Sequence, residues 1–509
     1  MSSSSNNVEE QAFSANRRAD AAWLLGIAAA VVLIHLLTNN RYGFHRDELQ
    51  FLSDARHLDW GYVCYPPLTP FLERIGLELF GLNMVGLRLL SVIAQAIAVV
   101  SSGLMARDLG GGRLAQVATA LAVALSPLPL FNGTEFQYTS FDFLWWVLIA
   151  WFTIRLLKSE NPWWWLAIGV TIGIGLLTKY TVCFLALSLI AGFLVSPARR
   201  LLFNVWFPAG VALAVALFLP NLLWQIHHGF ISLHFLQSIH ARDVRLGRGD
   251  GFWIKQFVVC ANTYSAPLWI AGIVMYLRSE RFRPLAWMFL LPAAFYTVTH
   301  AVFYYLAPAY PMLIAMGAVG FEAWRARLGR GWAVTVLLLL FVGLIGAGAY
   351  AVAFIVPLQA DGALRSWALA HNDALREEIG WDELVRNVAQ IRDSLPPDQQ
   401  AHLGITTGNY GEYGAIEMLG PAHRLPPPIG TTNSEWLRGY PDPAPTTLIV
   451  LGLTERQANA IFTGCRWAGH NGNSEGVKNE ESQYHPDIFV CGPPREPWPV
   501  VWMHHQDFG

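Results

Sequence analysis

Apolar positions between residues 21 and 356 come in long unbroken blocks, not in the short periods of a soluble fold. The blocks run Ala21 to Leu37, Leu87 to Met105, Leu114 to Phe131, Phe141 to Leu157, Trp163 to Leu177 and Tyr180 to Val195. They continue with Val205 to Leu223, Phe252 to Leu277, Leu285 to Val298, Leu306 to Phe321 and Trp332 to Val356. A bilayer span needs about 20 mostly apolar residues, so the pattern predicts about eleven membrane helices. Between the first two blocks lies a polar, aromatic stretch that leads through Pro66-Pro67 into Leu68 to Phe80, predicted to be an amphipathic helix on the membrane surface. After Val356 the blocks stop. Trp381 to Ser394 has helical spacing, while His402 to Thr407 and Thr447 to Leu453 read as short buried strands, which predicts an α/β domain over 357–509.

Composition sharpens this picture. The chain has 509 residues, is 54% hydrophobic and 14% charged, and carries 21 Trp. Soluble domains are roughly 25% charged, so the chain reads as an all-α polytopic membrane domain (21–356) followed by the α/β domain. Lys and Arg concentrate after the even-numbered blocks, at Arg107 and Arg113, Arg155 and Lys158, Arg199 and Arg200, Arg278 to Arg283, and Arg325 to Arg330, with Arg17 and Arg18 before the first. The positive-inside rule places those ends in the cytoplasm, together with an N-terminal tail of residues 1–20. The first apolar run has no cleavage pattern after it and is expected to be retained as a span. Residues 357–509 then fall on the extracytoplasmic side of the cytoplasmic (inner) membrane. The net charge of −2 says nothing about partners, and no nucleic-acid motif is present. Of the five cysteines, Cys465 and Cys491 share the outer domain, where pairing and free thiols are both open.

Candidate chemistry gathers on the outer side. Asp47 and Glu48 follow the first span closely, with Arg41, His45 and Arg46 beside them. A lone loop carboxylate is usually only solvated, but this pair lies under the expected surface helix. Lys179 sits in a tight connection between two apolar blocks, where an ionisable residue is either functional or snorkelling to the headgroups. Glu135 and Asp142 bracket the next outer loop; Asp142 enters an aromatic span and suits sugar or metal contact, or else a helix N-terminal charge. His227, His228, Tyr304 and Tyr305 lie at outer boundaries as substrate-binding candidates, the tyrosines being expected also in the interfacial aromatic belt. Arg242, Arg245 and Arg248 are read as lying in a flexible, Gly-rich loop, as phosphate contacts or as a solvated face. Gly408, Gly411 and Gly414 do not have dinucleotide spacing and read as a structural turn.

Several motifs together resemble one family: Phe44-His-Arg-Asp-Glu-Leu49, Gly61-Tyr62, Pro66-Pro-Leu68, Leu177-Thr-Lys-Tyr180, Pro220-Asn-Leu-Leu-Trp-Gln-Ile-His-His-Gly229 and Thr407-Gly-Asn-Tyr-Gly-Glu412. As a set they are similar to the bacterial dolichyl-phosphate-mannose-protein mannosyltransferase-like proteins of glycosyltransferase family 39, in the GT-C superfamily. The resemblance implies a GT-C membrane enzyme that moves a sugar from a polyprenyl-phosphate donor to a lipid, glycan or protein acceptor on the outer face. It implies Asp47 as the catalytic base, to which the residues add Glu48 as a second carboxylate or metal ligand. A departure is Cys64-Tyr65, where relatives often carry an acidic residue and His. No cofactor is certain, and a divalent metal stays open. The rival reading is a transporter or flippase for lipid-linked sugars, which would place its charges near the midplane of repeated halves; here they concentrate at one face.

Overall fold

The computed structural model describes residues Ser2–Gly509, with side chains from residue 19 onward, so the side chains of Arg17 and Arg18 lie outside the described residues. It is mostly helical with one small sheet near the C-terminus. The chain divides into two compact units: Met1–Thr38, Arg88–Leu222 and His240–Val356 form one; Asn39–Leu87, Leu223–Ile239 and Pro357–Gly509 form the other.

All of the apolar blocks are helical, but fewer than eleven make full-length spans. Among the described residues six helices are long and apolar enough to cross a membrane: Ala19–Thr38, Met84–Asp108, Tyr138–Ser159, Trp206–His227, Phe303–Arg325 and Arg330–Ile355. Two blocks are helix pairs, Arg113–Ala124 with Pro127–Thr134 bent by 58° and Phe252–Cys260 with Thr263–Arg278 bent by 103°, giving up to eight spans among the described residues. The blocks at 163–177 and 180–195 form the short helices Trp164–Leu176 and Val182–Leu194. The two bends support each other. The Asn262 backbone N–H donates to Ser126 Oγ at 2.8 Å, and its side chain donates to Leu125 O at 3.1 Å and Leu344 O at 3.0 Å. Backbone groups freed by a break in an apolar setting need such partners. Two basic helix ends converge, since Asp108 pairs with Arg155 at 3.0 Å and also meets Lys158 and Arg107.

The second unit is built around a five-stranded sheet ordered β2-β1-β3-β5-β4, with β1 Leu403–Thr407, β2 Pro428–Gly430, β3 Thr447–Val450, β4 Arg466–His470 and β5 Asp487–Cys491. β1 runs parallel to β2 and β3, with Ile405 beside Pro428 and Ile449; β5 is antiparallel to β3 and β4. Cys465 and Cys491 are disulfide-bonded. The helix Trp381–Asp393 packs Leu384, Val385 and Val388 into a core with Ile405, Ile449 and Val490. Leu49 and Leu52, from the helix Arg46–Arg56, are fully buried in this same core. Burying two leucines is worth roughly 1.5–3 kcal/mol each, which ties the carboxylate-bearing helix to the sheet region. The surface helix forms as Leu68–Phe80 and exposes Phe71, Ile75 and Leu79.

Candidate active site

Asp47 occupies the first turn of the helix Arg46–Arg56. His45 caps that helix, accepting from the Asp47 N–H at 3.2 Å, while Glu48 accepts from the His45 N–H at 2.8 Å. Glu48 is 1% exposed, and its carboxylate closes a capping box with His45. Asp47 itself is half-exposed. Its partner is Tyr410, whose hydroxyl donates to Asp47 Oδ1 at 3.0 Å; burial pushes that phenol well above its usual range, so it stays a donor. Arg46 stacks its guanidinium 4.7 Å from the Tyr410 ring centre and pairs with Glu480 and with Glu481 at 3.4 Å. It therefore braces Tyr410 and is already engaged by two carboxylates.

The helix Tyr410–Leu419 meets Asp47's helix at very close range. A Cβ on Gly414 would lie 2.4 Å from the Leu49 carbonyl oxygen, so this glycine permits the contact that carries Tyr410 to Asp47. One turn away, Glu412 accepts from the Gly408 N–H at 3.2 Å, and burial, assisted by Glu481, pushes its carboxyl up to about 8.

Further along the Arg46–Arg56 helix, Asp54 accepts from Arg438 at 2.5 Å and from the Tyr65 hydroxyl at 2.5 Å. Burial raises Asp54 to about 6, with Arg438 limiting the rise. Arg438 also reaches Ser53 at 2.7 Å and Glu417 at 3.6 Å. Tyr65 is thus a buried structural donor. Cys64 accepts from Gln50 at 3.5 Å. Asp54, Arg438 and Tyr410 were not singled out from sequence, although Tyr410 lies inside the Thr407–Glu412 motif.

In the other unit, the Lys179 ammonium sits over three tyrosine rings, 4.8 Å from Tyr138, 5.1 Å from Tyr304 and 4.4 Å from Tyr305. Tyr304 and Tyr305 lie in a 3-10 segment, Phe303–Ala309, and serve as cation–π partners of Lys179. Asp142 is buried and acts electrostatically on Lys179. Glu135 is buried too and accepts from Gln137 at 2.5 Å, because helices end at Thr134 and resume at Tyr138, leaving a short link.

Arg242 and Arg245 do not lie in a flexible loop. They occupy the last turns of the helix Ile231–Arg245, followed by Arg248, which pairs with Asp243 at 3.1 Å. Arg245 is exposed. His228 stacks on Trp224 at 3.9 Å, with His227 exposed next to it. Among the described residues no group of three or more His, Cys, Asp or Glu side chains is arranged to hold a metal ion.

Residues 65–224 match the family model described as dolichyl-phosphate-mannose-protein mannosyltransferase. The lipid A galacturonosyltransferase RgtD of Rhizobium johnstonii is 31% identical over 256 residues, 48% of this chain and 53% of that protein. The lipopolysaccharide core galacturonosyltransferase RgtB of the same organism is 26% identical over 213 residues, 41% of this chain and 43% of that protein. The crystal structure of ArnT from Cupriavidus metallidurans in the apo state superposes with a TM-score of 0.57 at 14% identity, covering 93% of this chain and 98% of ArnT. The chain is thus similar over about half its length to two galacturonosyltransferases, and it shares the fold of ArnT. The likeness of fold extends over nearly the whole chain, and a second ArnT structure, bound to undecaprenyl phosphate, matches with a TM-score of 0.54 at 15% identity over 92% of this chain. By sequence, the chain spans about half the length of the curated relatives it matches.

Proposed function

We propose that this protein transfers a sugar from a polyprenyl-phosphate carrier to an envelope acceptor, with Asp47 as general base. The observation that carries this reading is the Asp47 carboxylate: half-exposed at a helix N-terminus, held at 3.0 Å by a buried tyrosine hydroxyl, and bordered by side chains that are themselves buried or paired. In the step, Asp47 takes the proton of an acceptor hydroxyl while that oxygen attacks the anomeric carbon. The bond from that carbon to the phosphate oxygen breaks, and polyprenyl phosphate leaves with its electron pair. Direct displacement inverts the anomeric centre. Lys179, ringed by tyrosines, is proposed as a contact for the donor.

The relatives support the reading. RgtD and RgtB are named for transfer to lipid A and lipopolysaccharide core, which favours a glycolipid acceptor, and ArnT binds undecaprenyl phosphate. The Arg-bearing helix ends favour a cytoplasmic N-terminus and an extracytoplasmic residue range 357–509, and the Cys465–Cys491 bond suits an oxidising compartment. Nucleotide sugars are made in the cytoplasm, so a carboxylate on the far side requires a lipid-borne donor. In proteoliposomes the protein should use polyprenyl-phosphate sugar and ignore soluble nucleotide sugar. Efficient transfer from a nucleotide sugar without lipid carrier would refute the proposal.

A further inference from the structure

We propose that the sheet-bearing unit holds a binding site for a neutral saccharide, in the cleft at the carboxyl ends of its parallel strands. The strand order β2-β1-β3 is the starting point. The chain leaves β1 toward β2 on one side and returns to β3 on the other, so the turns after β1 and β3 diverge. In open α/β sheets such a reversal leaves a crevice in which ligands bind. Here the crevice is a cleft of about 580 Å³, within the range of small-molecule sites. Thr406, Thr407 and Gly408 form its β1 side, Leu451 and Gly452 its β3 side, and the helix Trp498–His504 with the tail to Asp507 its opposite wall. The tail is fixed in place: Asp507 donates its N–H to Thr431 O at 3.0 Å and accepts from the Asn433 N–H at 2.9 Å.

Buried polar atoms with no partner point to a ligand. Thr406 Oγ1, Thr407 Oγ1, His485 Nδ1 and Gln506 Nε2 all line this cleft, and each is buried without a hydrogen bond. The two threonines are only 9% and 7% exposed. Native structures seldom leave buried polar atoms unpaired, and four around one cleft call for an occupant that donates and accepts.

Charge and shape identify its class. No Lys or Arg lines the cleft, and Asp507 brings a carboxylate. A phosphate or a uronate would meet that carboxylate with only the histidines His485, His504 and His505, and no permanently charged cation, to offset it. Neutral hydroxyls suit threonine, glutamine and histidine, and Trp498 and Trp502, both packed against Tyr440, add apolar lining for the C–H side of a sugar ring. The inference does not require that the protein transfer sugar, because binding is measured without turnover.

The test uses the full chain in phosphatidylcholine nanodiscs, free of sugar detergents, read by saturation-transfer NMR. Methyl α-D-mannoside and maltose are the neutral probes; galacturonic acid and inorganic phosphate are the charged ones. The neutral probes should bind saturably, with affinity about tenfold weaker in Thr407→Val, as expected for one lost hydrogen bond. Gln506→Met, on the opposite wall, should weaken binding as well, which keeps the test decisive if the threonine variant folds poorly. Absence of saturable neutral-sugar binding, full binding by both Thr407→Val and Gln506→Met, or tighter binding of phosphate or galacturonic acid would overturn the proposal.

Discussion

The Tyr410 hydroxyl donates to Asp47 Oδ1 at 3.0 Å across 363 positions of sequence. The residue proposed as base is therefore oriented by a side chain from the C-terminal part of the chain, and that side chain is in turn stacked against Arg46. Tyr410→Phe keeps the ring on Arg46 and removes the donor. Hydrogen bonds to charged groups contribute about 1.5–3 kcal/mol, so kcat should fall roughly ten- to a hundredfold with little change in donor KM or thermal midpoint. A kcat equal to that of the parent would show that the hydroxyl does not position the base.

Gly414→Val tests the close approach beneath that contact. Its added side chain would collide with the Leu49 backbone and force the two helices apart. Overpacking of this kind costs about 1–3 kcal/mol, so thermal unfolding should occur at lower temperature and transfer should be lost more severely than stability. A variant with parental stability and rate would mean that the helices do not pack through this glycine.

Much of the architecture could be read from the chain, because long apolar blocks and an amphipathic period are local signals. The surface helix appears with the expected bounds, Leu68–Phe80, and the strand expected over His402 to Thr407 appears as Leu403–Thr407. Site detail was less legible where it depends on distant partners. Arg46 pairs with Glu480 and Glu481, and Asp54 with Arg438, contacts with no periodic trace in sequence. The capping role of Glu48 was not legible because His45 is an unusual N-cap. Arg242 and Arg245 were read as loop residues because a charged segment between apolar blocks looks like a connection, yet Ile231 to Arg245 is continuous helix. Tyr304 and Tyr305 have the composition of a belt, and only folding brings them over Lys179.

The buried acids make stability depend on pH. Glu412 and Glu435 are each raised from the ordinary glutamate value of 4.5 to about 8, chiefly by burial. A raised folded-state pKa means that the folded protein holds the proton more tightly than the unfolded chain does. The contribution is full below about 4.5 and is lost as pH rises through about 8. The thermal midpoint should therefore fall between pH 5 and pH 8.5. Glu412→Gln retains an acceptor for the Gly408 N–H and removes the titration, so its midpoint should fall less over the same interval. An identical slope in parent and variant would remove Glu412 from this account.

The most direct test of the central claim is the single-turnover rate of sugar transfer from a polyprenyl-phosphate donor in proteoliposomes, comparing the parent with Asp47→Asn. The substitution preserves shape and the contact with Tyr410 while removing the base, so with a correctly folded variant the rate should drop about 10²- to 10⁴-fold, with donor binding retained. A folded Asp47→Asn protein that transfers at the parental rate would contradict the assignment of Asp47 as the base.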